Sequence, residues 1–268
     1  MILSSVSDHQ GVASIVNIKM KIQEGTRVGK VIPATAVIFD LDGCLVDSEP
    51  LIIAVIADEA RKMGIADVSD DYISARFLGV SMRDIFEQLA QNNAAVFLDD
   101  FVDRVEERLF REYREKLLRI EGAMEMLEGL VDVNIAIAIA TGGSIRRMNE
   151  TLERSELSPW FNNAAFSADQ VESGKPAPDL FLLAAQELGV ATEDCVVLED
   201  SPHGVKGAIS AGMRVIGFVG GSHLEGRREA HSNLLRQAGA DAVFSRLTDV
   251  FLYLLYFHKR KSRGHTSN

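Results

Sequence analysis

The sequence predicts an α/β fold: a Rossmann-like parallel sheet with a small all-α domain inserted after its first strand. Three observations indicate this. The chain has 268 residues, of which 47% are hydrophobic, enough to bury a sizeable core. Beyond residue 133, short apolar runs alternate with helical patterns, which is typical of parallel strands joined by crossover helices. Another apolar run, at 34–40, is separated from these by a mostly helical stretch at 67–117.

The first predicted strand is ATAVIFD, residues 34–40. A short continuous apolar run of this kind is typical of a parallel strand that is buried on both faces. A helix is expected after it, ending at Gly64. The helix is indicated by apolar residues at helical spacing, namely Ile52, Val55, Ile56, Ala60 and Met63.

The stretch at 67–117 is predicted to consist mostly of helices. Ser81 and Asp84 form a candidate capping box for a helix over 82–90. The segment 101–118 has the pattern of a long, charged amphipathic helix. We interpret its charges as a solvated face rather than a binding patch.

Five further strands and four further helices are predicted in the second half of the chain. The strands are expected at 133–140, 164–168, 195–200, 214–220 and 241–245. The helices are expected at 144–155, 178–188, 202–211 and 247–257. The expected organisation is an N-terminal extension at 1–33, a core domain formed by 34–53 and 121–257, a helical cap domain at 54–120 and a C-terminal tail at 258–268.

Composition narrows the expected partners and location. A formal net charge of −11 repels a phosphate backbone, so nucleic acid is not an expected partner. The basic residues near the C-terminus are interpreted as a solvated tail. No apolar run is long enough to span a membrane, and Asp8 and His9 interrupt any leader-like run. Two cysteines, Cys44 and Cys195, fit a reducing compartment, so we expect a cytoplasmic protein. The sequence leaves its oligomeric state open between monomer and dimer.

Polar residues follow four of the predicted strands. Ligands bind at the carboxyl ends of the strands in an open parallel sheet, so these residues are expected to meet at one edge. They are Asp40 and Asp42 after the first strand, Thr141, Gly142, Gly143 and Ser144 after the second, Lys175 after the third, and Glu199, Asp200 and Ser201 after the fourth.

The charges of this set predict a metal and a phosphate in one site. Small residues at a helix N-terminus hold anions, and the Thr141 hydroxyl adds a donor. Like charges in contact repel by about 4 kcal/mol at an effective dielectric constant near 20, and one lysine does not offset four carboxylates. Mg²⁺ suits one or two carboxylates together with a substrate phosphate. Each loop alone is a weak indication of a functional site, but four such loops in this order, each after a strand, are a strong one.

Four segments resemble the motifs of the haloacid dehalogenase superfamily. They are FDLDGCLVDSE (39–49), IATGGS (139–144), GKPAPD (174–179) and VVLEDSPHGVKGAISAGM (196–213). The set is similar to the branch of phosphatases and β-phosphoglucomutase-like enzymes with a helical cap after the first strand. The resemblance covers residues 35 to about 250 and leaves out the two ends of the chain.

The resemblance implies a role for each matching residue. Asp40 would be the nucleophile, and Asp42 the general acid and then the base. Thr141 and Lys175 would hold the phosphoryl oxygens, together with the Gly142 and Gly143 loop. Mg²⁺ would be bound by Asp40, the main-chain carbonyl of Asp42 and Asp200, with Glu199 as a further ligand or a supporting carboxylate.

Three functions are compatible with these motifs. The first is a Mg²⁺-dependent phosphatase acting on a small phosphorylated metabolite, a sugar or sugar-acid phosphate. The second is a phosphoglucomutase, but mutases of this branch carry a histidine about where this chain has Ile52. The third is a catalytically idle binding protein, which the intact motifs disfavour. We therefore expect the phosphatase.

Substrate specificity is expected to lie in the cap. Arg76 and Arg83 flank a Gly-Val-Ser turn that the resemblance places over the site, and either could attract an anionic leaving group. Cys44 is interpreted as a small loop filler and His203 as a structural or rim residue. His223 is a candidate for the entrance or for solvent exposure.

Overall fold

The computed structural model of the chain describes residues 34–65, 68–90 and 98–264. The expected N-terminal extension, residues 1–33, lies outside the described residues, and so do the last four residues of the expected tail.

The core is a sheet of six parallel strands, so the predicted fold class is confirmed. Each strand lies within one of the six predicted runs, except that β2 ends one residue beyond its run: β1 (Ala36–Phe39), β2 (Ala136–Thr141), β3 (Ala165–Ser167), β4 (Cys195–Glu199), β5 (Arg214–Phe218) and β6 (Ala242–Phe244). Their order is β3-β2-β1-β4-β5-β6, and every neighbouring pair is parallel. The order reverses its direction between β1 and β4.

Strand β1 shows why an unbroken apolar run was needed. All four of its residues are buried. Val37 and Phe39 pack into the apolar cluster on one face of the sheet, whereas Ala36 and Ile38 pack into the cluster on the other. A strand covered on both faces has no side that tolerates polar residues.

Five described helices lie between β1 and β2, and we call the first four of them the helical insertion: α1 (Glu49–Lys62), α2 (Asp70–Phe77), α3 (Met82–Ala90) and α4 (Leu98–Lys116). They share an apolar cluster of their own, in which the Phe86 and Phe101 rings lie 4.9 Å apart. Ser81 caps α3, accepting a hydrogen bond from Asp84 N at 3.2 Å, as predicted. Helix α1 runs across the domain boundary expected at residue 53. Ile52 and Ile53, which were expected in the core domain, pack in the apolar cluster of the insertion.

Six helices cover the sheet: α5 (Ala123–Asp132), α6 (Ile145–Arg154), α7 (Asp179–Leu188), α8 (Pro202–Ser210), α9 (Arg228–Ala238) and α10 (Leu247–Gly264). Residues of α5, α6 and α10 join the cluster that contains Phe39. Residues of α7, α8 and α9 join the opposite cluster.

Two of these helices were not predicted. Helix α9 buries only Ser232 and Leu235, so it lacks a clear apolar repeat. Helix α5 contains Gly129, which weakens a helical pattern. The structure explains that glycine: a Cβ there would lie 2.3 Å from the Phe251 ring of α10.

Helix α10 is longer than predicted. It continues from the expected end at 257 to Gly264, so the first part of the expected tail is helical. The lysines and arginines at 258–263 are good helix formers, and no proline or glycine interrupts the helix before Gly264. No helix in the described part of the chain combines the length and apolarity needed to cross a membrane.

Candidate active site

The candidate site lies where β1 and β4 end side by side. Asp40 follows β1 directly, and its backbone N donates to Leu198 O at 2.9 Å. Glu199 is the last residue of β4, and Asp200 follows it. This is the point at which the strand order reverses, where the crossover connections leave in opposite directions and open a crevice. The topology therefore brings the predicted carboxylates of two distant segments together.

Lys175 joins the two strand ends. Its Nζ lies 2.6 Å from Asp40 Oδ1 and 2.5 Å from Glu199 Oε1, and the side chain is fully buried. Burial lowers the pKa of Lys175, but the charges and hydrogen bonds of Asp40 and Glu199 outweigh it and raise that pKa above its ordinary value. Glu199 Oε2 accepts from Ser201 N at 2.9 Å and from Ser201 Oγ at 3.0 Å. Glu199 thus holds Lys175 against Asp40.

Asp200 is a buried carboxylate whose oxygens have no hydrogen-bond partner among the described residues. Burial raises its pKa well above the ordinary value, and the charge of Glu199 adds to this. Burial likewise raises the pKa of Asp40, against the effect of Lys175. Ligand atoms of Asp40, Cys44 and Asp200 lie within 4.8 Å of one another. A buried carboxylate without a hydrogen bond, lying close to a second carboxylate, fits a divalent cation, which would satisfy its oxygens and offset the repulsion between the two.

Gly43 is required for this close approach. Its φ is +77°, a conformation that glycine adopts without strain. A Cβ on Gly43 would lie 2.0 Å from Asp200 Oδ2. The Asp-x-Asp-Gly segment therefore needs its glycine both for the turn and for room beside the Asp200 carboxylate.

Asp42 points toward a different set of partners. Its Oδ1 accepts from Ser48 Oγ at 2.5 Å, and its Oδ2 accepts from Arg147 Nη2 at 3.3 Å. Both partners are buried. The two aspartates of the first motif therefore have different surroundings, Asp40 beside a lysine and Asp42 beside a serine and an arginine.

The loop after β2 leads into the N-terminus of α6. Thr141 Oγ1 is buried and accepts from Gly143 N at 3.0 Å. Ser144 caps the helix, since its Oγ accepts from Arg147 N at 3.0 Å. Ser144 also donates to Glu106 of α4, which links this loop to the insertion. A helix N-terminus preceded by small residues suits an anion such as a phosphoryl group.

The insertion covers this edge of the sheet, and a small cavity of about 20 Å³ lies between them. Its Gly-Val-Ser turn sits directly on the core loops: a Cβ on Gly79 would lie 2.3 Å from Ser201 Oγ, and one on Gly142 would lie 2.9 Å from Gly79 O. The core contributes polar lining residues, and the insertion contributes Glu49 and mostly apolar ones. The apolar lining residues are Ile52, Ile53, Ile56, Ile73, Phe77, Leu78, Val80 and Ile85.

Comparison with known proteins identifies the family of this chain. The family described as haloacid dehalogenase-like hydrolase matches residues 37–218. The chain belongs to this family. Over 189 residues it is 37% identical to a phosphorylated carbohydrates phosphatase of Thermotoga maritima, covering 69% of this chain and 85% of that protein.

A second relative and a solved structure agree with this family assignment. Hexitol phosphatase A of Escherichia coli is 35% identical over 181 residues, covering 67% of this chain and 80% of its own length. A hydrolase from Pseudomonas syringae, solved as a crystal structure, is 27% identical with a TM-score of 0.72, covering 84% of this chain and 99% of that one. The resemblance noted from the motifs is confirmed, and the comparisons support a hydrolase of phosphate monoesters.

The structure of this haloacid dehalogenase-like hydrolase gathers the core motifs but not the two insertion arginines. Arg76 and Arg83 are exposed and do not line the cavity. On α2 the inward positions are taken by Ile73 and Phe77, so Arg76 faces outward and its guanidinium lies 4.8 Å from the Tyr72 ring. The arginine that reaches the cavity is Arg147 of the core.

Two polar residues that line the cavity, Arg147 and Glu49, were not predicted from the sequence. Burial, together with the charge of Asp200, raises the pKa of Glu49 to about 8. A signal for Arg147 was available, because a cation in the first turn of a helix opposes the helix dipole and has no local reason to be there. Glu49 gave no such signal, since an acidic residue in the first turn of α1 is ordinary.

Three other residues singled out from the sequence occupy distinct positions. Cys44 is buried in the core cluster, in agreement with a filler, and burial raises the pKa of its thiol. His223 is buried rather than solvent-exposed, with Nε2 3.3 Å from Asp200 Oδ2. Burial lowers the pKa of His223. His203 is half-buried at the start of α8.

Proposed function

We propose that the protein is a Mg²⁺-dependent phosphatase that hydrolyses a small phosphorylated carbohydrate through an aspartyl-phosphate intermediate. The observation that carries the proposal is the buried Asp40 carboxylate, held by Lys175 at the end of β1 and facing the cavity. The relatives named for phosphorylated carbohydrates and for hexitols support this substrate class.

In the first proposed step, an Asp40 oxygen attacks phosphorus, and the bond from phosphorus to the sugar oxygen breaks. Asp42 gives its proton to the departing oxygen, so the product leaves as a neutral alcohol. Lys175 and Thr141 hold the phosphoryl oxygens, and the N-terminus of α6 adds its partial positive charge. Dividing the displacement in this way replaces one difficult reaction with two easier ones.

In the second step, water attacks the phosphorus of the aspartyl phosphate. Asp42, now a carboxylate, takes a proton from that water, and Asp40 is released with inorganic phosphate. Ser48 orients Asp42 through a hydrogen bond of 2.5 Å to one oxygen, whereas Arg147 lies 3.3 Å from the other. The same carboxyl group therefore serves as acid and then as base.

The proposed Mg²⁺ ligands are Asp40, Asp200 and the main-chain carbonyl of Asp42. When bound, the cation supplies the positive charge that offsets the carboxylates and the phosphoryl oxygens. Glu199 is better assigned a supporting role than that of a ligand, because both its oxygens already accept hydrogen bonds from Lys175 and Ser201.

The helical insertion is proposed to act as a cap that excludes water and surrounds the leaving group. Its apolar wall lies opposite the core loops. The mutase alternative is disfavoured because Ile52, an apolar residue, lines the cavity at about the place where mutases carry a histidine.

The test is a turnover screen of the purified full chain against phosphorylated sugars, sugar alcohols and sugar acids, with Mg²⁺ present. Phosphate release is measured, and each substrate is also tested for conversion to a phosphorylated isomer. Release of phosphate without isomer formation is the expected result. Isomer formation from a sugar 1-phosphate would favour the mutase, and no conversion of any substrate by folded protein would contradict the proposal.

A further inference from the structure

One arginine is buried in the wall of the cavity. Arg147 lies in the first turn of α6, and only 7% of its side chain is exposed. It lines the cavity together with Asp40 and Asp42. It is therefore close enough to the reacting groups to contact a bound substrate.

The Arg147 guanidinium lacks some of the hydrogen-bond acceptors that it needs. Its contact with Asp42 is 3.3 Å long, above the usual 2.7–2.9 Å of a charge-assisted hydrogen bond. Its Nε is buried and has no hydrogen-bond partner among the described residues. A buried donor without a partner is unfavourable unless a ligand supplies the acceptor.

The preceding loop is shaped around this side chain. A Cβ on Gly143 would lie 2.8 Å from Arg147 Nε and 2.9 Å from its Nη2. The second glycine of Thr-Gly-Gly-Ser thus makes room for the guanidinium. The helix dipole disfavours a cation in this turn, and the pairing with Asp42 offsets this.

The rest of the cavity limits what Arg147 can bind. Its charge is already matched by Asp42, and Glu49 adds another carboxyl group to the lining. No hydrogen bond joins the Glu49 carboxyl group to another described side chain. A second anion on the leaving group would meet Asp42 and an apolar wall, whereas hydroxyl groups could accept from Arg147 and donate to Glu49.

We propose that Arg147 is a specificity-determining residue that donates hydrogen bonds to hydroxyl oxygens of a neutral polyol leaving group. Glu49 accepts from the same group of hydroxyls. The enzyme therefore prefers sugar-alcohol and neutral sugar phosphates over phosphates whose leaving group carries a carboxylate. This inference rests on the proposed phosphatase activity.

The test compares Arg147→Gln with the wild-type protein on three substrates. Sorbitol 6-phosphate and 6-phosphogluconate both have six carbons but differ in the carboxylate, and p-nitrophenyl phosphate has no hydroxyls to recognise. Arg154→Gln is the matched control, because Arg154 lies on the same helix but is exposed and pairs with Glu150. Circular dichroism and thermal melting establish that each variant is folded.

We expect the wild type to prefer sorbitol 6-phosphate to 6-phosphogluconate in kcat/KM. Arg147→Gln should raise KM for sorbitol 6-phosphate by about tenfold, the effect of losing one or two hydrogen bonds from a charged donor. The loss on p-nitrophenyl phosphate should be clearly smaller, and Arg154→Gln should match the wild type on all three substrates.

Each other outcome overturns a different statement. Equal losses on all three substrates would mean that Arg147 supports Asp42 or the fold and does not select the leaving group. A wild-type preference for 6-phosphogluconate would refute the neutral leaving group. If the wild type hydrolysed none of the three, including p-nitrophenyl phosphate, the proposed phosphatase activity would itself be contradicted.

Discussion

The cavity has two unlike walls. The sheet edge presents buried charged groups held by short hydrogen bonds, such as Lys175 between Asp40 and Glu199. The helical insertion presents mainly isoleucine, leucine, valine and phenylalanine side chains. Charged groups fixed in a dry site stabilise charge that develops during reaction, whereas an apolar wall excludes water and shapes the space.

This difference indicates that the two walls have different roles in catalysis and in substrate selection. The sheet edge should set the rate for any phosphate monoester. The insertion, including Glu49, together with Arg147 of the core should decide which leaving group fits. Changes at the edge should therefore affect all substrates equally, and changes at the insertion should not.

The largest effect is expected from Asp40→Asn. The amide keeps the shape of the carboxyl group but does not attack phosphorus, so kcat should fall by about a thousandfold or more on every substrate. Phosphate release is measured beside Asp132→Asn, an exposed change at the end of α5. Substantial turnover by a folded Asp40→Asn protein would exclude Asp40 as the nucleophile.

Metal removal should have the next largest effect. Excess EDTA should abolish activity on every substrate, and added Mg²⁺ should restore it. Mg²⁺ should also raise the melting temperature of the wild type, because a ligand that binds the folded state stabilises it. In Asp200→Ala that shift should be largely lost, since both orphaned carboxylate oxygens are gone. Full activity in excess chelator would contradict the metal requirement.

A smaller effect is expected from Glu49→Gln, and it should depend on pH. The pKa of Glu49 is raised to about 8 in the folded protein, so the folded state holds a proton that the unfolded state loses above about 4.5. Stability from this group is complete below pH 4.5 and is lost as pH rises toward 8. In metal-free protein, Glu49→Gln should thus raise the melting temperature at pH 8 but not at pH 4.

The control for that experiment is Glu87→Gln, an exposed change on α3. It should leave the melting temperature unchanged at both pH values. An unchanged melting temperature of Glu49→Gln at pH 8 would mean that Glu49 is ionised without penalty in the folded state.

The smallest effect is expected from Arg83→Ala. The sequence alone made this residue a candidate for binding an anionic leaving group, but its side chain is exposed and lies outside the cavity. The change in KM should be less than about twofold on any substrate, as for most surface substitutions. A larger change confined to an anionic substrate would show that the insertion's outer surface takes part in recognition.

Much of the core could be predicted from the sequence. All six strands lay in runs of apolar residues, since strands buried on both faces need them, and the loops after four strands carried the polar residues. Helix α9 was missed because it buries little, and α5 because Gly129 interrupts its pattern. In both cases the missing signal lies in contacts with other elements, such as Gly129 against Phe251.

By itself the sequence determined the parallel sheet, the family and the meeting of Asp40, Asp42, Thr141, Lys175 and Asp200 at one edge. Parallel strands joined by crossovers place all their carboxyl ends together, so the position of a residue along the chain was sufficient. Only the tertiary structure decided which arginine lines the cavity. Arg76 and Arg147 both lie on helices near the site, and which way each points depends on the packing of helices far apart in sequence.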